Sequence, residues 1–359
     1  MGGIRRKNTQ RIVVAMSGGV DSSVAAALLK RAGFDIVGVF MKFWSEGNPT
    51  VNSNRCCSSE SEVRAREVAR KLNIPFYVLN LEKEFKKKVV DYFLSAHKEG
   101  VTPNPCVVCN KEIKFGLLLE KASAWGASLV ATGHYARKIF DSRKNIYKLQ
   151  KGTDKNKDQS YFLWMLNQKQ LARTLFPVGD YRKSEVRKLA KKFGLSTSET
   201  PDSQEICFIP GEINEFLKRH LKVKPGKIVD IKGRMLGEHN GLHFFTLGQR
   251  KGINLPRGPY YVLNKNPKND SLIITKDKKD LLKGSFRAKK LNWISAERPQ
   301  LPAKLKVKIR YRSKEIIASV ELADNNLKVI FNKPQRAVTP GQSAVFYKGQ
   351  ELLGGGIII

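Results

Sequence analysis

Arg11-Ile12-Val13-Val14-Ala15-Met16-Ser17-Gly18-Gly19-Val20-Asp21-Ser22-Ser23 is the stretch whose reading decides the fold. A short apolar run gives way to small residues. From Ser22 to about Ala32 an alanine- and leucine-rich helical pattern follows, closed by Gly33. The sequence therefore reads as a buried strand, a tight loop and a helix. Two adjacent glycines let the backbone approach a ligand and turn its N–H groups inward. Ser17, Ser22 and Ser23 add hydroxyl donors, and the helix directs its positive end at the same point. An anion, most simply a phosphate, belongs there.

The kinase and GTPase form of phosphate loop, G-x-x-x-x-G-K-[ST], carries a lysine for the β- and γ-phosphates. Here no lysine follows the glycines; Asp21 does. A G-x-G-x-x-G dinucleotide fingerprint is absent as well. The pattern resembles the pyrophosphatase loop of enzymes that split ATP between its α- and β-phosphates and form an adenylated intermediate.

Downstream, strands and helices alternate. Asp35–Lys42 reads as a strand, and Ser59 to Asn73 as a helix with Ser59 and Glu62 spaced as a capping box. Pro75–Leu79 is the next strand, Glu82–Glu99 an amphipathic helix, and Ser128–Thr132 a strand ending at Gly133-His134-Tyr135. This rhythm predicts an α/β domain with a doubly wound parallel sheet over residues 1–208. Ligands in such sheets sit beyond the strand carboxyl ends, where the Ser17 loop, Met41 and Gly133 all fall. Near residue 208 the rhythm changes. One short helix (Ile213–His220) and segments broken by Gly and Pro predict a small connecting domain over 209–275. The runs Lys304–Ser313, Ile316–Leu322, Leu327–Phe331 and Ser343–Tyr347 predict a C-terminal β-barrel over 276–359.

The chain has 359 residues, with 66 Lys and Arg against 32 Asp and Glu, a formal charge of +34. A polyanionic partner, most plausibly nucleic acid, follows from that excess. Placement sharpens the point. As a strand, Lys304-Leu305-Lys306-Val307-Lys308-Ile309-Arg310-Tyr311-Arg312 puts Leu305, Val307, Ile309 and Tyr311 on one face and five cations on the other. That predicts a phosphate-tracking surface. No apolar run approaches the ~18 residues of a membrane span, so a cytoplasmic protein without membrane contact is expected.

Five cysteines occur, at 56, 57, 106, 109 and 207, an odd and low number that argues against a disulfide framework. In Thr102-Pro103-Asn104-Pro105-Cys106-Val107-Val108-Cys109-Asn110-Lys111, Cys109 ends a proline-stiffened loop just before an expected helix near Lys111. A helix N-terminus and a neighbouring lysine would both favour thiolate there. Cys207 lies at the junction of the first two domains. A zinc site lacks its second pair of cysteines. Two readings stay open: persulfide chemistry between two cysteines, or a [4Fe–4S] cluster held by Cys106, Cys109 and Cys207. Cys56 and Cys57 receive no assignment.

Taken together, the chain resembles the tRNA-specific 2-thiouridylases over nearly its full length. The resemblance rests on Ala15–Ser22, Thr102–Pro105, Cys109–Phe115, Ala131–Tyr135, Asn156–Phe162, Ile206–Ile209, Thr246–Gly252 and Val338–Tyr347, in that order. It implies ATP-dependent replacement of the C2 oxygen of the wobble uridine by sulfur in tRNAs for Lys, Glu and Gln. ATP, expected with Mg2+, would meet Ala15, Met16, Ser17, Gly18, Gly19, Val20, Asp21, Ser22, Met41 and Gly133. Asn104, Pro105 and Cys106 would line the pocket for the flipped-out base. His134, Lys157, Asp158, Gln159, Arg310, Tyr311 and Gln342 would touch tRNA at its anticodon stem-loop.

The same resemblance makes Cys109 the nucleophile and Cys207 the carrier of a persulfide delivered by a sulfur-donor protein. A disulfide between them would form transiently, and a monomer is expected. Many family members carry aspartate where this chain has Cys106, which keeps the cluster reading open. Residue by residue, other roles compete. His134 reads equally as a packed strand-end histidine, Gln342 as the end of a Pro340-Gly341 turn, and Met41 as packing. Another adenylating enzyme of the same loop class, such as a tRNA lysidine synthetase, would not need Cys109 and Cys207.

Overall fold

The computed structural model describes residues 8–46, 58–202, 206–209, 211–295 and 298–359. Cys56 and Cys57 lie outside them.

Five strands form the first sheet: β1 (Asn8–Ala15), β2 (Phe34–Lys42), β3 (Phe76–Asn80), β4 (Leu129–Ala131) and, after a hairpin, β7 (Thr174–Leu175). Their order is β3-β2-β1-β4-β7, and every pairing is parallel. Alternate residues of β1 feed two separate cores. Ile12, Val14 and Met16 pack with helix α1 (Val20–Arg31) and helix α2 (Ser59–Lys71), whereas Val13 and Ala15 join Phe85, Phe93, Ile113 and Phe115 on the other side. Helices on both faces make the doubly wound sheet that the strand–helix rhythm predicts.

Helix α1 is built from good helix formers, Ala25, Ala26, Ala27, Leu28 and Leu29, all but Leu28 buried. Asp21 in its first turn and Lys30 and Arg31 in its last complement the helix dipole. Gly33, at φ +89, ends it. The cap of α2 sits one residue earlier than the Ser59–Glu62 spacing suggests. Ser58 accepts a hydrogen bond from the Ser61 amide at 3.2 Å, because Ser58 is the residue whose backbone is still extended.

The connecting unit carries helix Ile213–His220 and a four-stranded sheet. Its strands are β8 (Gly226–Val229), β9 (Met235–His239), β10 (Tyr261–Asn266) and β11 (Ser271–Thr275). The C-terminal strands are β12 (Leu282–Trp293), β13 (Ala303–Lys308), β14 (Ile316–Ala323), β15 (Asn326–Arg336), β16 (Ser343–Lys348) and β17 (Glu351–Ile358). They run in the order β12-β15-β14-β13-β16-β17, and β17 pairs back onto β12 to close a barrel. Closure removes the free edges that an open sheet would expose.

One connection crosses the chain. The hairpin β5 (Ala136–Asp141) and β6 (Ile146–Lys151) leaves the first domain and adds to the barrel, with Leu149 opposite Leu352. Behind it, Trp164 is fully buried and donates its indole N–H to Ser343 Oγ at 3.0 Å. Tyr161 donates its hydroxyl to Ser343 O at 3.0 Å. The first domain and the barrel are therefore one packed body at this seam.

Candidate active site

The loop after β1 is held open by close backbone contacts. Gly18 adopts φ +73, and a Cβ there would fall 2.2 Å from Ser61 O. Only glycine fits both conditions. Ser22 Oγ and Ser23 Oγ both donate to Gly19 O, at 3.0 and 2.9 Å, and the Ser17 amide donates to Ser22 Oγ at 3.1 Å. Gly19 is the N-cap of α1 and brings no side chain to occupy the first-turn N–H groups. Those groups have no acceptor inside the helix. Gly133, just after β4, closes the other side of this cradle. Ala15, Met16, Val20 and Met41 are buried beneath it and shape it by packing.

A charged cluster flanks the loop. Asp21 Oδ1 accepts the Tyr135 hydroxyl at 2.7 Å, and its two oxygens accept Lys183 Nζ at 2.7 and 2.8 Å. Lys183 also reaches Asp202 Oδ1 at 2.9 Å, and Asp202 is further gripped by Lys157 at 2.6 Å and Arg187 at 3.0 Å. Burial alone would raise the Asp202 carboxyl, but the hydrogen bonds from Lys157 and Lys183 outweigh it and hold it at about 2. The Tyr135 hydroxyl is pushed up, first by burial and then by the neighbouring Asp21 charge. Sequence reasoning missed Lys183, Asp202 and Tyr135 as partners of the loop. The available signal was Glu185, whose carboxylate accepts from the Arg182 amide at 2.6 Å and fixes a helix start at Lys183.

The loop carrying Asn104, Pro105 and Cys106 sits where all three domains meet. The Thr102 amide donates to Pro340 O at 3.0 Å, Gln342 Nε2 donates to Thr102 O at 3.2 Å and Pro103 O at 3.3 Å, and Thr102 Oγ1 meets Thr246 Oγ1 at 3.4 Å. Gly341 has room only for hydrogen, since a Cβ would lie 2.8 Å from Thr102 O. Three motifs distant in sequence thus converge on one loop. Asn104 lies against the Tyr92 and Tyr161 hydroxyls. Tyr311 lies beside Cys106 and packs on Phe162 at 4.4 Å between ring centroids, with Arg310 close to Tyr161.

The helix that follows begins earlier than expected. Pro105 occupies its first turn, and the helical segment runs without a break over 105–122. Cys106, not Cys109, stands at the helix N-terminus. Cys109 is 6% exposed and faces an apolar core with Val107, Ile113 and Phe115. The expected activation of Cys109 by a helix start is therefore corrected, because proline nucleates the turn four residues upstream. Cys207 is half-buried and packs against the same core, next to Phe208, which meets the Phe85 and Phe93 rings edge-on.

The cluster reading does not fit this donor set. Among the described residues no group of three or more His, Cys, Asp or Glu is placed to hold a metal ion. Cys109 is packed in the apolar core with Val107, Ile113 and Phe115.

Several residues expected to touch tRNA make internal contacts. His134 is buried between Phe115 and Phe176, and its Nδ1 meets Thr132 Oγ1 at 2.8 Å. Burial drives its pKa well below the ordinary histidine value. Asp158 is buried and accepts from the Gly152 and Ser160 amides, both at 3.1 Å. Gln159 accepts from the Tyr135 amide at 3.0 Å. The cationic face at 304–312 is also less free than its alternation suggests. Lys308 turns toward Asp158 at 3.7 Å and the Tyr347 ring, and Lys306 stands 3.7 Å from Glu315. Lys304 and Arg312 remain exposed. No helix among the described residues is long and apolar enough to cross a membrane.

A glycine-rich anion loop on a doubly wound sheet, joined to two β-domains, defines a HUP-type nucleotide-binding protein. The chain matches the "tRNA methyl transferase HUP domain" family over residues 10–211, the "tRNA methyl transferase PRC-barrel domain" over 214–276 and the "Aminomethyltransferase beta-barrel domain" over 283–358. It is 47% identical over 354 residues to the tRNA-specific 2-thiouridylase MnmA of Moorella thermoacetica, covering 96% of this chain and 98% of that one. It is 44% identical to the MnmA of Clostridioides difficile, covering 97% and 98%. The chain belongs to the tRNA-specific 2-thiouridylase family.

Proposed function

We propose that the chain is an ATP-dependent sulfurtransferase that thiolates C2 of the wobble uridine in tRNAs for Lys, Glu and Gln. The observation that carries this reading is that Thr102, at the head of the Asn104–Cys106 loop, is tied to both Thr246 and Gln342 in a chain that also carries the Ser17–Ser22 phosphate loop. Asn104, Cys106 and the partly buried Tyr311 ring supply polar groups and an aromatic face of the kind that takes a base out of its stack. The excess of Lys and Arg fits a polyanionic substrate.

ATP enters as its magnesium complex, with its phosphates on the Ser17–Ser22 loop. The uridine O2 attacks the α-phosphorus, and pyrophosphate leaves. Adenylation is needed because a carbonyl oxygen is a poor leaving group, whereas AMP is a good one. The terminal sulfur of a Cys207 persulfide then attacks C2. The Cys109 thiolate attacks the Cys207 Sγ, the sulfur–sulfur bond breaks, and its electron pair passes to the sulfur on C2 as AMP departs. A Cys109–Cys207 disulfide remains, which a thiol reductant must open before the next turnover. Cys109 is buried in this state, so the cycle requires that helix or its neighbours to shift.

A persulfide-carrying donor protein supplies the sulfur, and the enzyme works in the cytoplasm as a monomer. Incubating the protein with tRNA, ATP and a persulfide donor, then analysing nucleosides by mass spectrometry, tests the function. 2-Thiouridine should appear only with ATP. A lysidine-type product, or formation of modified tRNA that persists after replacement of both cysteines, would favour the other adenylating enzymes of this loop class.

A further inference from the structure

Phosphate loops of the kinase type carry their own lysine, and this loop has Asp21 in that region instead. An aspartate there opposes a triphosphate unless a cation offsets it. The fold brings that cation from far along the chain. Lys183, at the first turn of the Lys183–Lys192 helix, has only 12% of its side chain exposed, and Nζ lies 2.7 and 2.8 Å from the two Asp21 oxygens.

We propose that Lys183 is the phosphate-binding lysine of this site and that it is parked on Asp202 until ATP arrives. The inference rests on reading the Ser17–Ser22 loop as an ATP site. All three N–H donors of Lys183 are committed, two to Asp21 and one to Asp202 Oδ1 at 2.9 Å. To reach a phosphate oxygen it must release one of them. Asp202 is the partner it can leave, because Lys157 and Arg187 still hold that carboxylate at 2.6 and 3.0 Å. Among the described residues Asp21 has no such second cation; its other partner is the neutral Tyr135 hydroxyl. Lys183 therefore stays on Asp21 and exchanges Asp202 for the β- or γ-phosphate. Asp202 holds the ammonium in reserve and competes with the phosphate for it, without touching the nucleotide.

The test is equilibrium binding of α,β-methylene-ATP and of AMP to the full-length protein, by calorimetry. Lys183→Met should weaken the ATP analogue at least tenfold and leave AMP within twofold. Lys183→Arg should recover most of the loss. Asp202→Asn removes the competitor and should tighten the ATP analogue severalfold, and should do so only while Lys183 is present, whereas simple loss of a negative charge would tighten it equally beside Lys183→Met. Equal weakening of both nucleotides by Lys183→Met, or unchanged binding of the ATP analogue, overturns the inference. If Lys183→Met fails to fold, Asp202→Asn decides alone, and no tightening overturns it. An unsubstituted protein that binds the analogue but never thiolates tRNA sinks the proposed function and leaves Lys183 in its role. One that binds no nucleotide sinks both.

Discussion

Gly133 faces Ser22 so closely that a Cβ at 133 would stand 2.6 Å from the Ser22 amide nitrogen. The turn after β4 and the first turn of α1 therefore touch backbone to backbone, with no side chain between them. That contact fixes the width of the anion cradle, and a side chain inserted there has no flexible neighbour to displace.

Gly133→Ala should accordingly push the loop out of shape. Overpacking against rigid backbone costs about 1–3 kcal/mol, so ATP binding should weaken by roughly tenfold or more. Calorimetric titration, read beside the thermal midpoint, separates a lost site from a lost fold. Unchanged ATP affinity would mean that the cradle is not where the nucleotide sits.

The two cysteines should fail at the same stage. Cys109→Ser and Cys207→Ser should each abolish 2-thiouridine formation while sparing tRNA-dependent release of pyrophosphate. Adenylation needs the loop, whereas only sulfur transfer needs the thiols. Loss of pyrophosphate release in both variants would place the cysteines in substrate binding instead.

Gln342→Ala removes two hydrogen bonds that tie the barrel to Thr102 and Pro103. Such bonds contribute about 1 kcal/mol each, so the thermal midpoint should fall by about 2–3 °C. Activity at low temperature should fall less than for Tyr311→Ala, which removes the ring packed on Phe162 beside Cys106. Equal losses would give Gln342 a direct substrate contact.

Acid should destabilise the protein before its carboxylates titrate. Burial is the main cause that lowers His97 from 6.5 to about 4, where it packs on Phe93 and meets His243 O. The unfolded chain therefore binds the extra proton first. Stability is fully present above about 6.5 and falls as pH drops toward 4, by about 3 kcal/mol at most. Buried His134 acts in the same direction. Urea midpoints from pH 7 to 4.5 should decline, and His97→Gln should remove part of the slope. A flat profile would contradict the burial of both rings.

Local features carried much of this architecture. The Ile12–Ser23 run and the strand–helix alternation are set by neighbours in sequence, and the parallel sheet follows from them. The inward face of Leu305 and Val307 was also legible, since β13 keeps its period of two; Ile309 is buried too, although the strand expected to run to Ser313 ends at Lys308. What escaped depends on long-range pairing, which leaves no local period. Nothing within Ala136–Lys151 announces that this hairpin joins β17, some 200 residues away. Likewise, Lys183 and Asp202 are ordinary surface-type residues until the fold sets them against Asp21. Pro105 was a missed local signal, because proline at a first helical turn starts a helix rather than merely stiffening a loop.

In the proposed cycle the nucleotide loop and two thiols from separate segments serve one reaction. A single turnover tests this most directly, using protein preloaded with persulfide, tRNA and ATP, without reductant. Mass spectrometry should find one AMP and one Cys109–Cys207 disulfide for each 2-thiouridine made. Thiouridine formed while both cysteines stay unlinked, or without matching AMP, would contradict it.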